Sequence, residues 1–516
     1  MREDWEECEL GEVCLSSKGK KPPILENKIS EIVNVPYINI KAFEKGIIDE
    51  YTDGNKCNLC EDGDLLMVWD GARAGLSGKA RKGAVGSTLM KIEEVKGIEK
   101  QYLSYFLLSL YTKINTNPRG VGIPHVEPRI LWYSKLLIVS SPIQRAIVTK
   151  IEALFSDLDN GIANFKKAQA QLKIYRQAVL KKAFEGEFTK EWRKKQTNLP
   201  TASALLKQIK EERQNHYNQQ IEDWKKAVKV WEKNGKKDKK PNKPRKLKEL
   251  SAFSEDELNE FAELPKNWIW SKVDKIIDHN THSIKAGPFG SSLKKSFYVE
   301  SGYKIYGQEQ VISGNHKIGN YYVDEIKYQE LFSCAVKSKD ALISLVGTVG
   351  KVLILPDDCE EGIINPRLIK ISFNSFYNPE FFKYYIESAY LKSLYAHKSH
   401  GATMDIITLG IIQELPFPLF SIKEQNQIIQ EIESRLSVCD KMEQSITESI
   451  LKAEALRQSI LKKAFEGKLL SHSEIELCKA AADYEPASEL LKKIQADKLS
   501  KELEKKKPTV KKKSKK

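Results

Sequence analysis

The segment Lys285-Ala-Gly-Pro-Phe-Gly-Ser-Ser-Leu-Lys294-Lys295 collects the residue types that hold a phosphate backbone. Its glycines let main chain approach closely, while Lys285, Ser291, Ser292 and Lys294 offer ammonium and hydroxyl donors. Tyr306-Gly-Gln308-Glu-Gln310 adds carboxamides, and glutamine can bond adenine bidentately in the major groove. Comparable places lie earlier in the chain: Lys18 and Lys20 after Ser16-Ser17, Asn39 after Pro36-Tyr-Ile, and Gly71-Ala-Arg73-Ala-Gly75 followed by Lys79 and Arg81. Arg119, Thr348, Lys351, Arg367 and His400 complete the candidate DNA-contact residues.

Catalytic patterns are missing from the sequence. Base methylation at an exocyclic amine needs an Asn/Asp-Pro-Pro-aromatic loop, but Asn117-Pro118-Arg119 and Asn365-Pro366-Arg367 lack the second proline and the aromatic. Gly347-Thr-Val-Gly350-Lys351 resembles part of a P-loop, yet Val352 stands where Ser or Thr must follow the lysine. It reads instead as a turn ending a strand. Pro356-Asp357-Asp358 is not followed by the Glu-x-Lys strand of a metal-dependent nuclease. Cys57-x-x-Cys60 is half of a zinc site, to be completed by Cys8 and Cys14 if they fold beside it; the alternative is small buried or turn cysteines. No metal site is therefore assigned, and the chain is expected not to act as an enzyme by itself.

Charge is unevenly placed. The net +14 is accounted for by residues 498–516, at +8, and residues 232–248, at +7, which leaves the remaining chain close to neutral. A nucleic-acid surface must then come from local placement, and the two basic runs read as solvated, flexible segments. The acidic start MREDWEECELGE lacks the apolar stretch of a secretory signal, and no apolar run has the length of a membrane span. Eight cysteines in 516 residues give no disulfide framework, so a reducing cytoplasm is the expected compartment.

The elements that must position the candidate residues come in two copies. RQAVLKKAFEG at 176–186 returns as RQSILKKAFEG at 457–467, and the register holds without a gap back to Gly120 and Gly401, through Gln144/Gln425 and Asp159/Asp440. Residues 1–141 and 264–420 each alternate short apolar runs with Gly, Pro and Asp punctuation, which predicts two α+β heads with short-stranded sheets. A long helix follows each, over 142–187 and 421–467. Spacings of three and four from Ile147 to Ala183, and from Ile428 to Ala464, give a narrow apolar seam on helices about 65 Å long. The seam predicts antiparallel pairing of the two helices about a pseudo-twofold axis, the alternative being that each docks on its own head. Gly186 and Gly467 suit the left-handed residue just past a helix end. Residues 188–263 form a charged helical insert and linker whose 201–213 echoes 486–498 in the C-terminal segment 468–516; its remainder reads as a helix and a mobile loop.

In order, doubled, these features resemble the specificity subunit of type I restriction-modification systems. The resemblance rests on Leu264-Pro-Lys-Asn-Trp268, Gly287-Pro-Phe-Gly-Ser291, Leu342-Ile-Ser with Gly347-Thr-Val-Gly350, Gly401-Ala-Thr-Met404, Pro418-Leu with Glu424-Gln425, and the repeated helix ends. It implies two target recognition domains, each reading half of an asymmetric bipartite site in double-stranded DNA, held apart by a helical ruler. It further implies docking of two methyltransferase subunits and of restriction/translocase subunits, with S-adenosylmethionine, ATP and Mg2+ used by those partners and no cofactor in this chain. The first head departs from the pattern, with Gly120-Val-Gly-Ile123, with Pro142-Ile-Gln144 lacking the glutamate, and without the Gly-Pro-Phe-Gly-Ser loop. Competing readings are the recognition subunit of an enzyme whose nuclease and methyltransferase are fused, a coiled-coil scaffold that binds proteins, and a stand-alone regulator.

Overall fold

The structure, a computed structural model, describes residues 4–120, 122–237, 239–345, 350–392 and 408–506. It divides into two compact units. One joins Met1–Lys167 to Ile446–Lys516, and the other is Ala168–Ser445. The divisions fall inside the long helices and not at the head–helix junctions, because each unit takes its helical support from both copies of the repeat.

In the first unit the head carries β1 (Glu6–Glu9), β2 (Cys14–Lys18), β3 (Val35–Ile38), β4 (Tyr51–Thr52), β5 (Leu59–Cys60), β6 (Leu65–Val68), β7 (Ser77–Lys79), β8 (Gly83–Val85), β9 (Leu89–Glu94) and β10 (Lys135–Ile138). One sheet has the order β2-β9-β6-β7, a second the order β4-β3-β8-β5, and β1 pairs with β10. In the second unit the head carries β11 (Ile269–Ser271), β12 (Ile284–Ala286), β13 (Tyr303–Tyr306), β14 (Tyr322–Val323), β15 (Ala335–Val336), β16 (Ala341–Ser344), β17 (Val352–Ile354), β18 (Gly362–Ile364), β19 (Leu368–Ile371) and β20 (Phe417–Leu419). Its orders, β12-β19-β16-β17, β14-β13-β18-β15 and β11-β20, reproduce the first head strand for strand. Even the parallel pairing recurs, β3 with β8 and β13 with β18.

The Leu-Leu-Met-Val run becomes a strand covered on both faces. Leu65 and Met67 of β6 enter the core with Tyr102, Leu103 and Phe106 of the helix Lys100–Asn115, whereas Leu66 and Val68 pack with Ile38, Val85 and Leu89. Alternation along the strand thus serves two cores. In β16, Ala341 and Ile343 face one cluster and Leu342 the other.

The long helices span Ser141–Phe184 and Ile422–Phe465, 44 residues each, close to the expected ranges. In the first unit Arg457 pairs with Asp159 and lies over Phe155, while Lys150 reaches Glu474 at 2.9 Å. In the second unit Arg176 pairs with Asp440 at 2.6 Å and Glu443 at 3.1 Å, and Arg435 lies 4.1 Å from the Phe188 ring. Rising numbers on one segment meet falling numbers on the other, so the segments run antiparallel within each unit. Arg176–Asp440 and Arg457–Asp159 occupy equivalent repeat positions, so the same bridge is made twice with the copies exchanged. Tyr175 and Leu456, expected in the seam, are instead about half exposed, at 47% and 46%. A three-and-four stripe drifts around a straight helix by about 20° per heptad, which carries these equivalent positions out of the interface.

Each helix ends as its glycine predicts: φ is +70° at Gly186 and +72° at Gly467. The chain then crosses to the head of the other copy. A side chain at Gly186 would meet Pro265 at 2.7 Å and Trp268 at 3.3 Å, and one at Gly467 would meet Trp5 at 2.7 Å. Gly186→Ala and Gly467→Ala are each expected to lower stability by about 1–3 kcal/mol, from left-handed strain plus overpacking. Denaturant titration would measure this, and a change below about 0.5 kcal/mol would reject it. Beyond the glycines, Leu205 and Ile209 of the helix Ala202–Lys233 are buried in the second unit, and Leu490 and Ile494 of the helix Ala487–Lys506 in the first. One turn on, Arg213 donates to the Asp274 carbonyl and Lys498 to the Gly11 carbonyl. The predicted echo between 201–213 and 486–498 is therefore a repeated docking contact.

Candidate nucleic-acid interface

In the second head the ends of β12, β13, β16 and β18 bring the candidate loops together. Gly287 donates to the Leu368 carbonyl at 2.9 Å, and a Cβ on it would lie 1.9 Å from the Asn365 carbonyl oxygen. Only glycine permits that approach, which pins the 287–295 loop against the turn after β18. Beyond the contact, Ser291, Ser292 and Lys294 are exposed and Phe289 is 90% exposed at the loop tip. Gln308 opens the short helix Gln308–Ser313, donates to the Ser344 hydroxyl at 2.9 Å and accepts from Arg367 at 3.4 Å. Asn365 holds the turn by accepting from the Arg367 backbone N–H at 2.9 Å. Gln308, Asn365 and Arg367 rim a cleft of about 980 Å³ that Leu293, Lys295, Tyr298 and Tyr321 also line. Amide, guanidinium and hydroxyl groups around an aromatic-walled cleft can bond base edges and phosphates.

Other expected contacts are placed differently. Tyr306 is fully buried, its hydroxyl donating to the Glu360 carbonyl at 2.8 Å, and burial pushes its pKa up. It faces inward because β13 is an interior strand whose residues 304–306 are all buried. Gln310 is also buried: its side chain accepts from the Gly307 N–H at 2.8 Å and donates to the Ile318 carbonyl at 2.8 Å, so it shapes the turn that presents Gln308. Lys351 is turned onto Glu387 at 3.3 Å. Lys285 lines a different cavity, described below. Thr348 and His400 lie outside the described residues.

The first head builds the same edge from other residues. Gly19 donates to the Leu89 carbonyl at 2.9 Å, and a Cβ there would lie 2.0 Å from the Gly86 carbonyl oxygen. Gly19-Lys20-Lys21-Pro22 therefore stands where Gly-Pro-Phe-Gly stands in the second head, an equivalence invisible to residue matching; it adds Lys21 to the candidates. Lys18 pairs with Asp70 at 2.9 Å, Asp70 with His125 at 2.7 Å, and His125 bridges Arg119 through backbone. Gly71 donates to the Pro124 carbonyl at 2.8 Å, which joins the Arg73 loop to the same edge. Asn39 is a cap, accepting from the Ala42 N–H at 2.8 Å while donating to Glu50 at 2.6 Å. Lys79 pairs across from Leu65, at the end of β6 away from the Gly71 loop, and Arg81 donates to the Gly46 carbonyl at 3.2 Å. Those two are not brought to the edge with Lys18, Lys20, Arg73 and Arg119.

Cys8, Cys14 and Cys60 are buried. Burial pushes Cys8 and Cys14 up to about 12 and Cys60 to about 11, as expected of small side chains packed in a core. Among the described residues no His/Cys/Asp/Glu group is arranged to hold a metal ion.

The family model of the type I restriction modification DNA specificity domain matches this chain twice, over residues 2–166 and 288–452. The chain belongs to that family. As a type I DNA specificity chain it is 23% identical over 444 residues to the type I restriction enzyme MjaVIII specificity subunit of Methanocaldococcus jannaschii, covering 84% of this chain and 86% of that one. It is also 23% identical over 467 residues to the EcoBI specificity subunit of Escherichia coli, covering 90% and 86%. A solved structure described as the basis of complex assembly and conformational transition of the type I R-M system shares the fold, with a TM-score of 0.57 at 16% identity over 91% of this chain and 99% of that one. Among the described residues of this specificity chain, no helix is long and apolar enough to cross a membrane.

Proposed function

We propose that each head reads one half of a split, asymmetric site in double-stranded DNA, and that the chain supplies this recognition without a catalytic group of its own. The observation that carries the reading is the pair of loop edges on one strand framework: Lys18, Lys20, Arg73 and Arg119 in the first head, Phe289, Gln308 and Arg367 in the second. Different donors on equivalent edges read different bases, so the two halves need not match.

Two methyltransferase subunits dock on the helices, and restriction/translocase subunits join for cleavage, all in the cytoplasm. S-adenosylmethionine, ATP and Mg2+ are bound by those partners, and the target base is flipped into a partner's pocket. Apolar groups on the paired helices support docking: Ile174 is 70% exposed, Val438 55% and Met442 50% in the second unit, with Leu451 60% exposed in the first. Val438 and Met442, one turn apart, line a cleft with Leu172 and Tyr175, and an exposed apolar patch of this kind marks a surface covered by protein.

Sequencing modified bases in cells that express the chain with its cognate methyltransferase tests the reading. A split motif is expected, with one half changing when residues 1–141 are exchanged for another head and the other half changing when 264–420 are exchanged. An active partner that modifies no motif would sink it. Phe289, between Pro288 and Gly290 at a loop tip, is placed to wedge against a base step or sugar. Phe289→Ala in the assembled complex is expected to weaken DNA binding by about 1–3 kcal/mol, read by fluorescence anisotropy; unchanged affinity would remove Phe289 from the interface.

A further inference from the structure

The insert between the heads does not run free after its helix. Past Lys233 the chain turns back at Gly235, where φ is +74°, and is fastened along its length. Trp224 donates from its indole to the Pro241 carbonyl at 3.0 Å, and Lys243 lies 5.9 Å from the same ring. Lys236 and Lys240 each sit 5.8 Å from the Trp231 ring. Lys246 donates to Gln214 at 3.0 Å, Leu247 and Leu250 pack on the core of the second head, and the Leu250 N–H donates to Asp274 at 3.2 Å. A segment expected to be mobile is thus a strap laid between helix and head.

Between strap and head lies a groove of about 990 Å³. Lys243, Arg245, Lys246 and Lys248 line one wall, and His282 and Lys285 the other. Asp274 is its one lining carboxylate; it is buried, and its Oδ2 accepts from the Leu250 N–H and pairs with Lys275 at 2.8 Å. Among the described residues none of the four strap cations, nor Lys285, is in an ion pair. Cations gathered on two walls without counter-charge repel one another, and a polyanion between them removes that repulsion. The His282 imidazole is held below its usual range by burial and then by Lys285 and Lys370, consistent with a positive field in the groove.

We infer that this groove holds the phosphate backbone of the DNA duplex immediately beside the half-site read by the second head, a contact independent of sequence. The inference rests on the recognition reading above. Continuity names the occupant: Ile284 and Lys285 of β12 line the groove, and the Gly287 loop begins two residues on. Three strand residues span about 10 Å, or about three base pairs along the duplex axis.

The test measures affinity against salt for the complete chain assembled with its methyltransferase, on cognate and scrambled duplexes. The combined variant Lys243→Gln, Arg245→Gln, Lys246→Gln, Lys248→Gln leaves the anchoring Leu247 and Leu250 in place. It should reduce the slope of log K against log salt by about 3–4, weaken cognate and scrambled DNA by the same factor, and leave the methylated motif unchanged. Lys285→Gln on the opposite wall should reduce the slope by about 1. A duplex trimmed to end at the second half-site should bind wild type and variant alike. An unchanged slope overturns the inference, as does loss of methyltransferase assembly with unaltered DNA affinity, which would assign the groove to an acidic protein surface. Failure of the wild-type complex to prefer cognate DNA would instead reject the recognition reading itself.

Discussion

Glu424→Ala is expected to destabilise the second unit by about 3–5 kcal/mol, the cost of removing one partner from a buried ion pair. The Glu424 side chain is 1% exposed and accepts from Arg193 Nε at 2.7 Å, Thr189 Oγ1 at 2.8 Å and Trp268 Nε1 at 3.1 Å. Three donors from the insert and the head converge on this one carboxylate in the first turn of the second long helix. Arg193 also lies 5.5 Å over the Trp268 ring, and Trp268 stacks on Phe420 at 3.6 Å with the planes 4° apart. Alanine strands all three donors together, whereas Glu424→Gln keeps the shape and should lose less, about 1–3 kcal/mol. Replacing Glu424 and Arg193 together with leucine should recover most of the loss, because no charge is then left buried. Urea unfolding followed by tryptophan fluorescence would report each value, and a loss under about 1 kcal/mol for Glu424→Ala would show the network to be dispensable. The repeat-equivalent residue is Ile143, so the first unit has no such clamp to lose.

Arg367→Ala and Gln308→Ala should each relax one half of the recognised motif while leaving the other half untouched. The two side chains touch at 3.4 Å, and Gln308 is steadied by Ser344, so Gln308→Ala also removes the acceptor that orients Arg367. A bidentate base contact is worth about 1–3 kcal/mol of discrimination, roughly 5- to 150-fold between right and wrong base. The sequence logo of modified sites should therefore broaden at positions of a single half, and competition binding with single-base variants should show that loss there alone. Equal weakening on every duplex would make both residues backbone contacts and move base reading elsewhere in the head.

The scaffold was legible wherever one residue type answers one backbone demand. The helix-end glycines, the 44-residue amphipathic stretches and the Gln144/Gln425 pair all recur in register. The two glutamines make the same bonds, Gln144 to the Gly97 and Val139 carbonyls and Gln425 to those of Phe376 and Phe420. The interface was less legible. Gly19 and Gly287 are equivalent through a carbonyl that each meets, and no neighbouring residue records this. Tyr306 carries the right chemistry on the wrong face, because a strand covered on both sides has no polar alternation to mark its exposed residues, and Gln310, in the short helix that follows, turns inward to cap Gly307. The strap escaped notice because lysines clamped on Trp224 and Trp231 look the same in sequence as lysines in solvent.

The crossing of each repeat to the other's head sets an order of events during synthesis. The second unit is a single stretch, Ala168–Ser445, and can close once it has emerged. The first unit waits for Phe465, Leu490 and Ile494 to cover Tyr102, Phe106 and their neighbours. At about 5–20 residues per second, that gap of nearly 280 residues after Lys167 leaves the first head open for about 15–60 s on the ribosome. The half of the protein made first is finished last, and until then its apolar floor is the surface a chaperone would meet.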